Sequence, residues 1–557
     1  MLQFLADDLS EQRTQYDTAI VEDGVHETQL YPPDDSSCSP WRNWLRRDKS
    51  MVRKSALSRL FRNTSCIAVL VIFVALAMSL SLPSAIAGPS CVAYDKNTKT
   101  WTIFPSGGDD TKNVQHAFDQ AVNAGPGGTV ELTAGQFYCN NIVVTGFDGT
   151  LRGADKGITR IDTLRGLDPN APPLSNPIDF PSLFAFVGGN VRISDMTIEI
   201  TSYWTTVTYG KQPFGMDLYL TDAMVRIDGR YANSLVERVQ FIGHEGAGYY
   251  NPGLIPDNCH VGIRICDLCD LKSSWGLHVG PTTGTHIVRQ CEFTRFTEAI
   301  AIFGLSNGRA LIGGNAGDAN TFMESYCSVM TRNIEGSAVE ISHNYMGGSR
   351  GSQIYCYNDI KPQEKAMPFS LITSPSQVMI SHNTMDFHGG WGEAILSDAI
   401  VLDDDGPSYG AFLKKEAAWS LKAVVSNNKI HLNYLVGGIY GFGIQDAVVT
   451  GNEVSGRGLA GIYIAPGPYG YYGWLETCSH WTLSGNNFEN LDAEVAQVWL
   501  GPFSDHCTVV GGAKDMVWDQ GTDNLLVGVN NMGSDVSVGE NVSDAMETKH
   551  NLMKSMW

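Results

Sequence analysis

The chain has 557 residues, with 38 Lys and Arg against 59 Asp and Glu, a formal charge of −21, 59 glycines and a charged fraction of only 17%. That composition is too apolar and aromatic for a disordered chain. It is too acidic for a protein that neutralises nucleic-acid phosphates, and its glycines lack the three-residue period of collagen. At about 150 residues per domain the length implies three or four domains, unless the chain is one long repeat.

Residues 1–50 are polar and acidic, carry Pro32-Pro33 and Asp34-Asp35, and show no sustained apolar period. They read as a disordered tail or as residues ahead of a start at Met51. Residues 66–78 are strongly apolar, continue more weakly to 87, follow Arg53, Lys54, Arg59 and Arg62, and end in Ala85-Ile86-Ala87. The strongly apolar part falls short of the about 20 residues that span a membrane. Basic flank, short apolar run and small-x-small end make 51–87 a secretory signal peptide, with an uncleaved signal-anchor as the alternative. The expectation is a secreted or cell-surface protein that meets a membrane only through this segment.

From residue 88 onward there are 49 acidic and 29 basic residues and ten of the 12 cysteines. An even cysteine count in an oxidising compartment permits disulfides. Cys327/Cys356 and Cys478/Cys507 are each 29 residues apart, a spacing that suits neighbouring coils and either bridges or stacked buried thiols. Cys266-x-x-Cys269, near Cys259 and His260, has metal or redox spacing but no second such pair, and it lies in a strand-like run.

The first regular element in the exported part is a helix. Asp110 or Thr111 can cap it, it runs to about residue 124, and Val114, Ala117, Phe118, Ala121 and Val122 form its apolar face. Gly125 to Gly128 end it, and Thr129-Val130-Glu131-Leu132 opens a strand.

Beyond it a short unit recurs: apolar, small, His/Gly/Asn, Asn, any, apolar. It reads Ile341-Ser342-His343-Asn344-Tyr345-Met346, and returns around Asn383, Asn428, Asn452 and Asn486. Ile193-Ser194-Asp195-Met196 and Ile312-Gly313-Gly314-Asn315 look like weaker copies. Successive Asn residues from Asn315 are 29, 39, 45, 24 and 34 apart. The short gaps fit a coil of three strands, and the long ones the same coil with a loop inserted. Asn suits the corner because it tolerates the left-handed backbone, and stacked amides can satisfy one another as a ladder.

A second unit is a period-2 strand closed by glycine or a polar turn. It includes Gly276-Leu277-His278-Val279-Gly280, Ala299-Ile300-Ala301-Ile302-Phe303-Gly304 and Ser352-Gln353-Ile354-Tyr355-Cys356-Tyr357. It continues at Ala399-Ile400-Val401-Leu402-Asp403, Gly438-Ile439-Tyr440-Gly441-Phe442, Gly461-Ile462-Tyr463-Ile464 and Ala496-Gln497-Val498-Trp499-Leu500.

Gly108-Asp109-Asp110-Thr111, Gln115-His116-Ala117-Phe118, Gly127-Gly128-Thr129-Val130-Glu131-Leu132 and Gly135-Gln136-Phe137-Tyr138 resemble the entry of the pectin-lyase-like superfamily. The resemblance spans roughly 91–530. It implies an all-β fold, a right-handed parallel β-helix with an N-terminal capping helix, over 88–535, and leaves 536–557 as a C-terminal tail. Lyases, hydrolases, epimerases, tailspikes and non-catalytic surface proteins share the fold, so it does not name an activity. The polygalacturonase signatures are missing in their order. Tyr440-Gly441-Phe442 begins an alginate-epimerase motif whose acid and His do not follow.

If the second strand series aligns by its inward Ile, Leu and Val residues, then His278, Tyr355, Tyr357, Asp403, Tyr440, Tyr463 and Trp499 face outward and line a shallow groove. Tyr and Trp rows suit sugar stacking; equally, outward aromatics stabilise sheet pairs. Trp474 lies in the aromatic loop 466–474 that would overhang the groove. Asp403-Asp404-Asp405 closes one of these strands. Such carboxylates can act as acid and base on a glycosidic bond, can bind calcium as a cofactor, or can form a solvated turn. His278, His388 and Glu393 are secondary candidates, and Arg350, Lys361 and Lys365 lie in loops where a lyase base could sit. The reading is an exported polysaccharide hydrolase or lyase with no nucleic-acid partner. A glycan-binding adhesin is the first rival. A tailspike-like protein is the second, disfavoured by the signal peptide.

Overall fold

The computed structural model describes residues 92–164, 183–199, 222–229, 231–243, 260–266, 284–296, 298–325, 327–332, 334–348, 351–358, 374–387, 398–404, 421–433, 437–464 and 478–533. They form a right-handed parallel β-helix, one continuous 35-stranded system plus a two-stranded parallel pair. Val92–Asp95 folds back antiparallel on Thr100–Ile103, which starts the first parallel pairing with Gly128–Leu132. The right hand follows the sterics of parallel crossovers.

Each coil has three strands, and the three stacks are here sheets 1, 2 and 3. One coil is Ser376–Ser381, Thr384–Phe387 and Ile400–Asp404; the next is Leu421–Ser426, Lys429–Asn433 and Ile439–Phe442. Every partner sits one coil away: Ile380 opposite Val425, Met385 opposite Ile430, Ile400 opposite Ile439. The inward residues make one core along the solenoid, including Phe241, Phe293 and Phe322, whose rings stack 4.8 and 5.0 Å apart.

Helix α1, Thr111–Asn123, buries Val114, Ala117, Phe118 and Ala121, and sets Phe118 edge-on to Phe147, Phe184 and Phe186. Asp110 holds the cap position without capping. Its carboxylate accepts from the Ser106 and Tyr138 amides, while Asp109 accepts from the Thr111 amide. Covering the first coil with an apolar helix face removes an open core end.

The corner between sheets 1 and 2 carries the Asn ladder. Asn320, Asn344, Asn383, Asn428, Asn452 and Asn486 stack in register. Each Oδ1 accepts the backbone and side-chain N–H of the Asn one coil earlier; for Asn383 to Asn428 both bonds are 3.0 Å. Each Nδ2 also donates to a sheet 1 carbonyl, such as Ile341 for Asn383. From Asn344 onward the residue before each Asn takes the left-handed backbone, with φ of +59° at His343, +57° at His382 and +55° at Asn427, whereas Ala319 before Asn320 does not.

The copy expected at Asn315 falls elsewhere. Asn315 caps the short 3₁₀ turn Ala316–Asp318, and Asn320 is the ladder residue. The inserted turn displaces the motif while leaving the corner intact. One coil earlier Cys291 takes the ladder position and donates its amide to Asn320. Cys139, Cys291, Cys327, Cys356, Cys478 and Cys507 are buried free thiols. Cys327 lies opposite Glu298, Cys356 opposite Thr331 and Cys478 opposite Ser504, so equal spacing does not put the expected pairs face to face. Burial pushes the Cys291 and Cys356 thiols up to about 12.

Among the described residues no helix is long and apolar enough to cross a membrane. The expected signal segment 51–87, the expected tails 1–50 and 536–557, and Cys259 and Cys269 lie outside the described residues.

Candidate functional site

Sheet 3 holds the expected strand series in the expected register. Ile354, Ile400, Ile439, Ile462 and Val498 align as the inward row. The outward residues form two rows rather than one. The first runs Tyr355, Val401, Tyr440, Tyr463, Trp499, Trp518; the second runs Asp403, Phe442, with the Tyr357 backbone before them in register.

The acid of the second row is tied to the aromatic residue of the first. Tyr355 Oη donates to Asp403 Oδ2 at 3.2 Å, and Asp403 is 7% exposed. Alternation along Ile400–Asp404 produces this diagonal, since Val401 and Asp403 both follow inward residues. One coil earlier the second row continues to Arg332 by backbone register.

The aromatic row is covered instead of forming an open groove. Tyr440, Tyr463 and Trp499 are 5%, 0% and 5% exposed. Their centroids follow at 4.8 Å and 6.1 Å, and Trp518 continues at 5.1 Å. With Val401, Phe442, Leu459, Ala460, Val495 and Ala496 they make a second apolar cluster, separate from the solenoid core. The physical reason is composition: the neighbours of these rings are also apolar, so burying them together is favourable.

Tyr463 Oη donates to Asp398 at 2.6 Å, and the Gly437 amide donates to the other oxygen of that carboxylate at 2.8 Å. Burial, then the Asp398 charge, pushes the Tyr463 phenol well above its ordinary value. A Cβ on Gly437 would lie 2.1 Å from the Tyr463 ring, so this position requires glycine.

Asp398 and Trp518 were not singled out by sequence. Trp518 was within reach, because Met516-Val517-Trp518-Asp519 repeats the alternation of the strand before it. Asp398 carries no repeat signal. Asp404 is in the strand opposite Asn358. His278, Asp405, Trp474, His388, Glu393, Arg350, Lys361 and Lys365 lie outside the described residues. Among the described residues, Asp505, His506 and Asp523 bring donor atoms within 4.8 Å of one another at an exposed corner away from the Asp403 strand.

No protein-family model matches the chain, and no curated protein matches it in sequence. It is similar to solved right-handed β-helix structures. A periplasmic alginate epimerase is 10% identical over 80% of this chain and 81% of its own, with a TM-score of 0.41. The catalytic domain of an α-1,3-glucanase with bound tetrasaccharides is 12% identical over 80% and 71%, with a TM-score of 0.43. A surface adhesin of Streptococcus pneumoniae is 14% identical over 71% and 90%, with a TM-score of 0.41. The fold itself rests on the chain's own parallel register.

Proposed function

We propose that the protein is an exported polysaccharide-cleaving enzyme, a glycoside hydrolase or polysaccharide lyase, acting on the outer face of sheet 3 around Asp403. The observation that carries this reading is the Tyr355–Asp403 pair, a hydroxyl donor on a mostly buried carboxylate at 3.2 Å. Such a pair can take a proton at one oxygen and deliver one at another. Both hydrolysis and β-elimination need that exchange, hydrolysis with a second carboxylate and elimination with a cation on the uronate. By backbone register Arg332 lies two strands before Asp403 in the same row, about 10 Å along the stack. In this reading the substrate lies outside the cytosol, and Asp403 is kept for proton exchange rather than for calcium, the alternative occupant of the Asp403-Asp404-Asp405 run.

A second reading is a non-catalytic glycan binder. The open strand Lys429–Asn433 of sheet 2 favours it, since it presents Lys429, His431 and Asn433 to a ligand, whereas the covered rings Tyr440, Tyr463 and Trp499 offer no stacking face and support neither reading. Incubation of the full chain with a panel of neutral and uronate polysaccharides decides between them. The enzyme reading expects new reducing ends, with ultraviolet-absorbing unsaturated ends if the reaction is elimination. Binding without either product supports the second reading and overturns the first.

A further inference from the structure

The outer face of sheet 2 is the contrasting surface of the same coils. Tyr345 is 40% exposed. Its ring lies across Gly347 and beside Met323: a Cβ on Gly347 would stand 3.0 Å from the Tyr345 ring and hydroxyl and 3.1 Å from Met323 Sδ. Glycine therefore leaves the space that the ring fills beside Met323, while the side chain stays partly open to solvent.

Gly347, Asp386, His431 and Ser455 form one register row across four successive strands. Neighbouring strands are about 4.8 Å apart, so the row spans about 14 Å beyond the aromatic ring. Its polar side chains are held in place. Asn433 Nδ2 donates to Asp386 Oδ1 at 3.1 Å, and His431 Nδ1 lies 3.1 Å from Ser455 Oγ. Ser455 Oγ also donates to the Ile430 carbonyl at 3.4 Å. With Nδ1 engaged by Ser455, Nε2 is the remaining polar atom of the exposed imidazole.

We propose that this row is a second carbohydrate-binding surface, which takes a stretch of a neutral polysaccharide with one sugar ring stacked on Tyr345. A flat aromatic face meets the C–H face of a pyranose, and fixed donors and acceptors beside it meet its hydroxyls. Both charge signs occur on the patch, Lys429 beside Glu453 in register and Asp386 in the next row, which selects a neutral chain over a polyanion. Side chains already held by hydrogen bonds lose little freedom on binding. The proposal rests on the polysaccharide reading above for its ligand class, and not for the catalytic step.

Affinity electrophoresis of the full chain through gels containing laminarin, dextran, galactomannan, arabinoxylan or polygalacturonate tests it. At least one neutral polysaccharide retards the protein. Tyr345→Ala weakens that retardation about tenfold, the scale of one aromatic contact, and Tyr345→Phe restores most of it. Tyr345→Ala has the same effect in the Asp403→Asn background, so this surface and the cleavage site fail separately. Retardation by polygalacturonate alone, by no polysaccharide, or equally in Tyr345→Ala and wild type overturns the proposal. Melting curves confirm that the variants are folded.

Discussion

In the coil that holds both Lys429–Asn433 and Ile439–Phe442, one backbone pattern ends in two different surfaces. Along Lys429–Asn433 the outward Lys429, His431 and Asn433 are exposed while Ile430 and Leu432 are buried. Along Ile439–Phe442 all four residues are buried, although Tyr440 and Phe442 point away from the core. The strands share the alternation and the coil spacing. The side chains differ: apolar neighbours in adjacent coils recruit Tyr440 into a cluster, whereas charged and amide neighbours keep His431 in water. An outward aromatic row is therefore a functional surface only where its neighbours leave it open. On the closed face a ring should hold the fold, and on the open face it should hold a ligand.

The sharpest break between the two faces is Trp499→Ala, which removes a ring stacked on both Tyr463 and Trp518. It should cost about 3–5 kcal/mol in denaturant unfolding. A loss below about 1 kcal/mol would mean the cluster carries no stability, and its rings would have to be reconsidered as ligand contacts.

Acid sensitivity should belong to the interior and not to the open face. His286 is buried in the core beside Ser234 Oγ at 3.0 Å, and burial pushes its pKa from 6.5 to about 4. The unfolded chain then binds more protons than the folded one between those values, so stability is full above pH 6.5 and falls as the pH drops toward 4. The loss should reach about 3 kcal/mol. His286→Gln should flatten that slope; an unchanged slope would show that another group carries the acid sensitivity.

Tyr463→Phe keeps the ring and deletes the bond to Asp398. Urea melts should show a loss of about 1.5–3 kcal/mol, because the acceptor is a buried carboxylate. Tyr345→Ala should change stability by no more than about 0.5 kcal/mol. A larger loss would show that this ring too is structural.

Much of the fold was legible because solenoid coils repeat their constraints. The Asn at each corner answers a left-handed turn and a buried amide, so Asn344, Asn383, Asn428, Asn452 and Asn486 announced the ladder. The period-2 runs ending in Asp403, Phe442 and Leu500 announced sheet 3 and its register. Asn320 was missed because a 3₁₀ turn separates it from its strand, and Cys291 because a thiol filled the ladder position.

The sites were less legible. Alternation shows which residues leave the core, but not which become covered, since that depends on neighbours 20 to 45 residues away in sequence. Tyr345, Lys429 and Glu453 sat in the motif as its variable position, where the lack of a pattern is what marks an outward surface. Asp386 and His431 came together only through register.

The central claim is that Asp403 carries out the chemistry on a polysaccharide, and the direct measurement is product release by wild type and Asp403→Asn on the same substrate. Asparagine keeps the shape and can still accept from Tyr355, so the melting point should change little. The prediction is loss of turnover by about a hundredfold or more, the scale of a lost general acid or base. Turnover retained in folded Asp403→Asn, or no product from any polysaccharide with wild type, would contradict it.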